Sequence, residues 1–251
     1  MKQLIFYFTA TGNSLHVAKQ FDSDPINIAI QRPDRFVADR IGFVFPVYCG
    51  EMPAVLKRFM RLSRFESPYI FAVATCGGVP GNALAQADEF LKIGKARLSY
   101  GASITLPDNC ILFATPEHKK QELLQNESFV LKKIIDDVNE GATNLHKMKK
   151  LVAIGTAFSW FGMRKMIGTD RKKATSKCVG CGLCASVCPM LNIVMVKDRP
   201  VFGMHCTDCF GCIQHCPESA IRFGMIRKSE SSYYLHPEIT VAELIRRNSR
   251  R

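Results

Sequence analysis

The run Leu4-Ile5-Phe6-Tyr7-Phe8-Thr9-Ala10-Thr11-Gly12-Asn13-Ser14 decides how the first half of this chain is read. Leu4 to Phe8 is an unbroken apolar, aromatic-rich stretch, as expected of a strand covered on both faces. It passes directly into a hydroxyl-rich turn, and a helical pattern follows with Leu15, Ala18 and Phe21 on one side. Strand, turn and helix start together make an anion site. Backbone N–H groups face the ligand, and Thr9, Thr11 and Ser14 add hydroxyls. The turn lacks the Gly-Lys-Ser/Thr of a Walker A loop and does not read G-x-G-x-x-G. Neutral hydroxyls and amides without lysine suit a phosphate monoester held permanently.

Outward from this run, strands are predicted at Leu4–Phe8, Ile26–Ile30, Ile41–Phe45, Ile70–Ala74 and Ser103–Leu106. Helices are predicted at Pro53–Leu62, Asn82–Gly94 and Pro116–Gly141. The last has Thr115 as N-cap, Pro116 at the first helical position and an apolar stripe of Leu131, Ile134, Ile135 and Val138. This alternation predicts an α/β fold, a doubly wound parallel five-stranded sheet, with a ligand at its carboxyl edge where the strand order reverses. Residues Gln31 to Asp39 leave little room for a full second helix. Two more loops leave the same edge: Pro46-Val47-Tyr48-Cys49-Gly50-Glu51-Met52-Pro53 and Thr75-Cys76-Gly77-Gly78-Val79-Pro80-Gly81-Asn82. Glycine, proline and an aromatic in such loops can enclose a flat heterocycle between backbone donors.

Residues 1–145 resemble the flavodoxins in the phosphate loop, in Ala18 where that motif has its alanine, and in element order. The resemblance implies FMN, its phosphate on Thr9, Ala10, Thr11, Gly12, Asn13 and Ser14. It places the isoalloxazine ring between Pro46, Val47, Tyr48, Cys49 and Gly50 on one side and Thr75, Cys76, Gly77 and Gly78 on the other. Tyr48 is a candidate stacking partner. Cys49 and Cys76 either modulate the flavin, form a redox-active pair, or are small thiols that fit against a ring. Cys110 reads as an ordinary buried thiol, and His16 as a lone histidine without a partner.

Eight of the eleven cysteines lie between Cys178 and Cys216. Cys178, Cys181, Cys184 and Cys188 form a C-x2-C-x2-C-x3-C run ending in Pro189, and Cys206, Cys209, Cys212 and Cys216 repeat it before Pro217, displaced by 28 positions. Three thiolates two residues apart wrap three corners of a cubane iron–sulfur cluster. Paired structural zinc sites would need cysteine pairs with a longer spacer. Gly180, Gly182 and Gly211 relieve crowding where the backbone curls. The region from about residue 175 to 226 resembles the bacterial two-[4Fe–4S] ferredoxins, in which the fourth ligand of each cluster comes from the other run. That resemblance implies one cluster on Cys178, Cys181, Cys184 and Cys216, and another on Cys206, Cys209, Cys212 and Cys188. Short strands are expected at Ile193–Val196, Val201–Met204 and Ile221–Met225, with Asp198 and Pro200 in the turn between the first two. So little apolar material folds with its clusters rather than before them.

The domain reading is therefore 1–145 flavodoxin-like, 146–174 a basic and apolar connecting segment, 175–226 a small α+β ferredoxin-like domain, and 227–251 an extension with a short helix. The whole chain resembles the flavodoxin–ferredoxin fusion proteins of anaerobes, the EFR1 family ferredoxins. That implies an electron-transfer protein relaying single electrons between two [4Fe–4S] clusters and FMN, since clusters move one electron and FMN takes one or two.

Composition bounds the rest. Hydrophobic residues are 47% and charged residues 22%, an ordinary globular balance. No run reaches the ~18 apolar residues that span a bilayer, and the start of the chain lacks a signal-peptide h-region. The expectation is a cytoplasmic protein. The formal charge is +12; two clusters at about −2 each and a phosphate of up to about −2 leave roughly +6. The excess gathers at Lys147, Lys149, Lys150, Arg164, Lys165, Arg171, Lys172, Lys173 and Lys177, and at Arg246, Arg247, Arg250 and Arg251. Such patches suit an acidic redox protein of the ferredoxin type; peripheral membrane contact is a weaker option, and no nucleic-acid recognition motif is present. Ala157, Phe158, Trp160, Phe161, Met163 and Met166 interleave with these cations, either packed between domains or as an interfacial helix. Two other functions stay open: a flavin-dependent reductase of a small organic substrate, fed by the clusters, and a nucleic-acid-binding or redox-sensing protein.

Overall fold

The computed structural model describes residues 1–111, 114–144, 147, 149–168, 171–224 and 233–249; the side chains of residues 150, 152, 153, 157, 159, 160, 163, 166 and 167 lie outside that description. The first half runs β1 (Gln3–Tyr7), α1 (Asn13–Lys19), β2 (Ile26–Asn27), β3 (Arg35–Val37), β4 (Arg40–Pro46), α2 (Ala54–Leu62), β5 (Arg64–Glu66), β6 (Tyr69–Cys76), α3 (Ala83–Ile93), β7 (Tyr100–Thr105) and α4 (Glu117–Asn139). The second half runs α5 (Lys150–Phe161), a π-helical turn (Gly162–Ile167), β8 (Lys172–Ala174), α6 (Leu183–Ser186), β9 (Ile193–Val196), β10 (Arg199–Phe202), α7 (Gly211–Gln214), β11 (Ile221–Phe223) and α8 (Val241–Asn248).

Strands β2, β1, β4, β6 and β7 pair in that order, all parallel. This is the flavodoxin-like 2-1-3-4-5 order, and it reverses between β1 and β4. The pleat sends Phe6, Phe8, Phe43 and Phe45 to one face, against Leu56, Phe59 and Met60 of α2 and Leu84 and Leu91 of α3. Ile5, Tyr7, Val44 and Phe71 go to the other, against Leu15 and Ala18 of α1 and Leu131, Ile134 and Val138 of α4. Both faces are covered, so the strands read as continuous apolar runs.

Two local expectations are corrected in this half, the end of β2 and the cap of α4, and one, the missing second helix, is met. Strand β2 stops at Asn27 instead of Ile30, because the Asn27 side-chain oxygen accepts the N–H of Ala29 and turns the chain. Residues 31–39 form no helix; β3 pairs with β5 in a small parallel sheet of its own. Phe36 stacks on Phe65 at 5.6 Å and meets Phe6 edge-on at 4.8 Å, so aromatic rings cover the sheet where a helix would lie. A cavity of about 580 Å3, lined by Tyr7, Ile26, Arg32 and Arg247 among others, remains beside β2. Thr115 does not cap α4. Pro116 holds the cap position, and the Thr115 hydroxyl accepts the N–H of Asp108 at 2.8 Å, which ties down the loop after β7.

The cysteine region is built from two antiparallel strand pairs, β9 with β10 and β8 with β11. Lys197 and Asp198 form the tight turn at φ 45° and 56°, so Pro200 falls inside β10, opposite Met195, and not in the turn. Strand β8 was not expected: three residues with two lysines carry no alternation to read. It begins at Lys172, inside the segment taken as a connection. The strand expected to reach Met225 ends at Phe223, and Met225 lies outside the described residues. Of the apolar residues in α5, Leu151, Ile154, Phe158 and Phe161 face solvent. The helix touches the body through Thr156, whose hydroxyl donates to Glu51 at 3.1 Å. Packing between domains therefore does not account for Phe158 or Phe161; the side chains of Ala157, Trp160, Met163 and Met166, and the residues Arg250 and Arg251, lie outside the description. No described helix is long and apolar enough to cross a membrane.

Helix α8 starts at a Thr240 cap that accepts the Glu243 N–H. It lies on α1 through Lys19–Glu243 at 3.2 Å and on β2 through Asn27, whose amide donates to the Arg247 carbonyl. At its end the Asn248 amide donates to the Val187 carbonyl. One short helix thus grips both halves of the chain.

Candidate functional site

The loops after β1, β4 and β6 meet at the carboxyl edge of the sheet, as the strand order requires. After β1, the Gly12 N–H donates to the Thr9 hydroxyl at 3.0 Å, curling the chain into α1. The Ser14 hydroxyl lies 2.8 Å from that of Thr75 and joins this loop to the end of β6. After β4, Tyr48 and Glu51 exchange backbone hydrogen bonds around a turn with Cys49 at φ 51°. After β6, the Cys76 thiol donates to the Gly78 carbonyl at 3.2 Å. One cavity is lined by Thr9, Ala10, Thr11, Asn13, Ser14, Pro46, Thr75 and Gly77. A second, of about 280 Å3, is lined by Val47, Tyr48, Cys49, Gly50, Cys76, Gly77 and Gly78. Val47, Tyr48, Cys76 and Gly77 border both, so the two form one slot. Of the fifteen residues that the flavodoxin resemblance assigns to the cofactor, Gly12 alone is missing from its walls.

A fourth loop also belongs here and was missed. Pro107, Asp108, Asn109 and Cys110, after β7, complete the slot. The available signal was positional: β7 ends at the same edge as the other strands. Cys110 is half-buried in the slot wall, not an ordinary core thiol. A Cβ at Gly77 would fall 2.5 Å from the Asp108 side chain, so only glycine lets these loops approach so closely. Burial holds the Asp108 carboxyl above its ordinary range, against N–H groups of Cys110 and Asn109 that favour its charge. The Tyr48 hydroxyl is buried with no hydrogen-bond partner among the described residues, and burial pushes its pKa well up. A buried orphan hydroxyl on a slot wall is a natural contact for a polar ligand.

The cysteines gather in two sets, each drawn from both runs. Cys178, Cys181, Cys184 and Cys216 line a small cavity with Met195 and Pro200. The thiol of Cys184 is raised first by burial and then by Cys216, Cys181 and Cys178. Cys209 is pushed up to about 12 by burial and next by Cys188, and Cys212 is raised by burial and then chiefly by Cys209. Four thiolates cannot share such a pocket unless positive charge sits among them, which is the donor chemistry of an iron–sulfur centre. The two sets differ in exposure at one ligand: Cys181 is exposed, whereas its counterpart Cys209 is buried.

The second run sits against the slot. Asp208 and Phe210 are part of its wall. The Asn109 amide donates to the Cys209 carbonyl at 3.2 Å, and His215 Nε2 donates to the Ala10 carbonyl at 3.2 Å. Gln214 donates to the Asn109 carbonyl and accepts the N–H of Tyr234. The Tyr234 hydroxyl donates to Asn13, and the His236 N–H to the Thr11 carbonyl. The loop after β1 is thereby roofed by the C-terminal segment.

His16 is not alone. Its ring stacks on His236 at 4.1 Å, and its Nε2 lies 3.4 Å from Glu127, whose other oxygen is 3.0 Å from His236 Nε2. These three could in principle hold a cation. However, the Glu238 N–H donates to His236 Nδ1, which puts the ring proton on Nε2 and aims it at Glu127. The trio is a clasp between α1, α4 and the C-terminal segment, joined by the His236–Glu127 hydrogen bond and, on the α1 side, by the His16 ring stack and its approach to Glu127.

Residues 171–217 match the family model of the 4Fe–4S dicluster domain. The chain thus joins a flavodoxin-like sheet to an iron–sulfur region of ferredoxin type, and electron transfer is the general chemistry of that region. Among solved structures, the chain is similar to a Bacteroides uniformis protein provisionally described as a flavoprotein. The identity is 18%, covering 49% of this chain and 97% of that one, with a TM-score of 0.31. A likeness that faint leaves the fold to rest on the strand order itself. No curated protein matches the chain.

Proposed function

We propose that this chain is a flavodoxin–ferredoxin fusion of the EFR1 type, which passes single electrons between two [4Fe–4S] clusters and an FMN. Cys178, Cys181, Cys184 and Cys216 would hold one cluster, and Cys206, Cys209, Cys212 and Cys188 the other. The slot between the loops at Thr9–Ser14, Pro46–Gly50, Thr75–Gly78 and Pro107–Cys110 would hold the FMN. Bound there, the clusters would supply one-electron carriers and the FMN a carrier of one or two electrons.

The observation that carries this reading is the shared wall: Asp208 and Phe210, within the second cysteine run, line the same cavity as Tyr48, Cys76 and Gly77. Two redox centres held in one chain would need no diffusional search. The chain's own residues would do three things. Thr9, Ser14 and Thr75 present an ordered hydroxyl patch to a phosphate ester. Tyr234 and His236 would fix the loop that carries the patch, through Asn13 and the Thr11 carbonyl. Tyr48 would bring to the flat part of the slot a hydroxyl that has no partner among the described residues. A ferredoxin-type redox protein would be the external partner, met at the exposed Cys181 side.

The test is protein purified without oxygen, with iron, sulfide and flavin measured per chain. Two clusters and one FMN are expected; zinc in place of iron, or iron without flavin, overturns the reading. Anaerobic titration with a one-electron reductant then asks whether both cofactors exchange electrons. Clusters that reduce while the flavin stays oxidised would contradict a relay.

A further inference from the structure

The 28-residue displacement lets the two cysteine sets be compared residue by residue. It carries Cys178 onto Cys206, Gly180 onto Asp208, Gly182 onto Phe210 and Lys172 onto Pro200. Strand pairing keeps the same register: Pro200 faces Met195, and Lys172 faces Phe223. Here the likeness ends. Pro200 lines the cavity of the first set and has no N–H to offer. Lys172, with its side chain 2% exposed, places Nζ 3.2 Å from Cys206 Sγ and 2.7 Å from Asp208 Oδ1. It also lies 5.4 Å from the Phe210 ring centre. The other Asp208 oxygen meets Arg164 Nε at 3.3 Å. An ammonium this deeply buried is tolerated only with a partner. Asp208 supplies one, and a donor hydrogen is left for the sulfur.

We propose that Lys172 makes the cluster on Cys206, Cys209, Cys212 and Cys188 the more readily reduced of the two. An electron would then settle beside the slot of Tyr48, Cys76 and Asp108, not at exposed Cys181. The inference rests on the two-cluster reading above. Each reduction is a one-electron step: a ferredoxin-type or viologen donor gives up one electron, the cluster gains it, and no bond is made or broken. The added negative charge spreads over the thiolate sulfurs. An ammonium hydrogen-bonded to one of them therefore favours the reduced form over the oxidised form. The Asp208 carboxylate works the opposite way, and Lys172 and Arg164 hold it in check.

The experiment is a potentiometric titration of the anaerobic holoprotein, followed by EPR, with iron measured on every sample. The wild type should show two separate midpoints. K172M should lower only the higher one, by at least tenfold in its reduction equilibrium, or 59 mV for one electron. K172R, which keeps a charged donor, should restore most of the gap. D208N, which keeps the ammonium and removes the opposing charge, should raise that same midpoint. Full iron with both midpoints unmoved in K172M and D208N, or with both moved together, overturns the inference while the two-cluster reading stands. A wild type without two clusters overturns that reading instead. If K172M fails to hold iron, D208N decides by sign: a rise supports the inference, and no change or a fall overturns it.

Discussion

The two cysteine runs have the same spacing and unequal surroundings. In the first, the positions after Cys178 and Cys181 that turn left-handed are Gly180 and Gly182, at φ 75° and 74°. In the second, the same positions are Asp208 and Phe210, at φ 53° and 58°. A side chain at such an angle costs about 1–2 kcal/mol. The second run bears that strain twice, and both side chains stand in the wall of the slot. The first run faces solvent at Cys181 and Val179. The difference teaches that the repeat supplies ligand geometry alone. What each half does with it is set by which neighbour it leans on, and among the described residues it is the second half that stands in the wall of the slot.

The largest expected break in the comparison is removal of a ligand. C209A should lose one cluster and about half the iron. Because Cys209 is buried in the joint while Cys181 is exposed, C209A should also loosen the two halves more than C181A does, read as faster proteolysis at equal iron content. Next comes F210A. Phe210 is 5% exposed and stacks on Phe223 at 5.3 Å, so truncation should cost about 3–5 kcal/mol in thermal or denaturant unfolding. An effect below 1 kcal/mol would mean that the second run is not seated as described. Q214A should cost about 1–3 kcal/mol, since it strips a partner from the Asn109 carbonyl and the Tyr234 N–H.

A finer probe is G182A. No atom lies closer than 3.9 Å to the added Cβ, so backbone strain alone should oppose it, by about 1 kcal/mol. If G182A cost nothing, Asp208 and Phe210 would not be strained either. The smallest effect is one of pH. Burial first, and His236 next, hold the His16 pKa below its usual 6.5, although Glu127 and Glu238 pull it up and Lys19 adds to the lowering. The folded state then binds fewer protons than the unfolded chain. The clasp's contribution is present above about pH 6.5 and is lost as pH falls below it. Unfolding midpoints measured from pH 8 to 5 should decline, and H16Q should flatten that decline.

Much of the parallel sheet was legible because its strands are covered on both faces, and long apolar runs such as Ile70–Ala74 have no other use. The short pieces were not. Lys172–Ala174 and Arg35–Val37 pair only because a partner strand is presented to them, and neither carries a pattern of its own. The slot was legible in three of its four loops; the fourth, Pro107 to Cys110, has no glycine-rich signature and gains its place from where β7 ends. His16 looked solitary since Glu127 and His236 are more than a hundred residues away along the chain.

By itself the sequence determined what is encoded at short range: eight thiols at ligand spacing, a hydroxyl-rich turn after a buried strand, and alternating elements that can only stack in parallel. Only the tertiary structure decided which run meets the slot, which thiols share a pocket, and where the buried ammonium points. Local spacing follows from bond geometry over a few residues. Contacts such as Lys172 to Cys206, Gln214 to Asn109 and His236 to Glu127 arise when distant segments are buried together, and each is worth its energy only after water has been excluded from both partners.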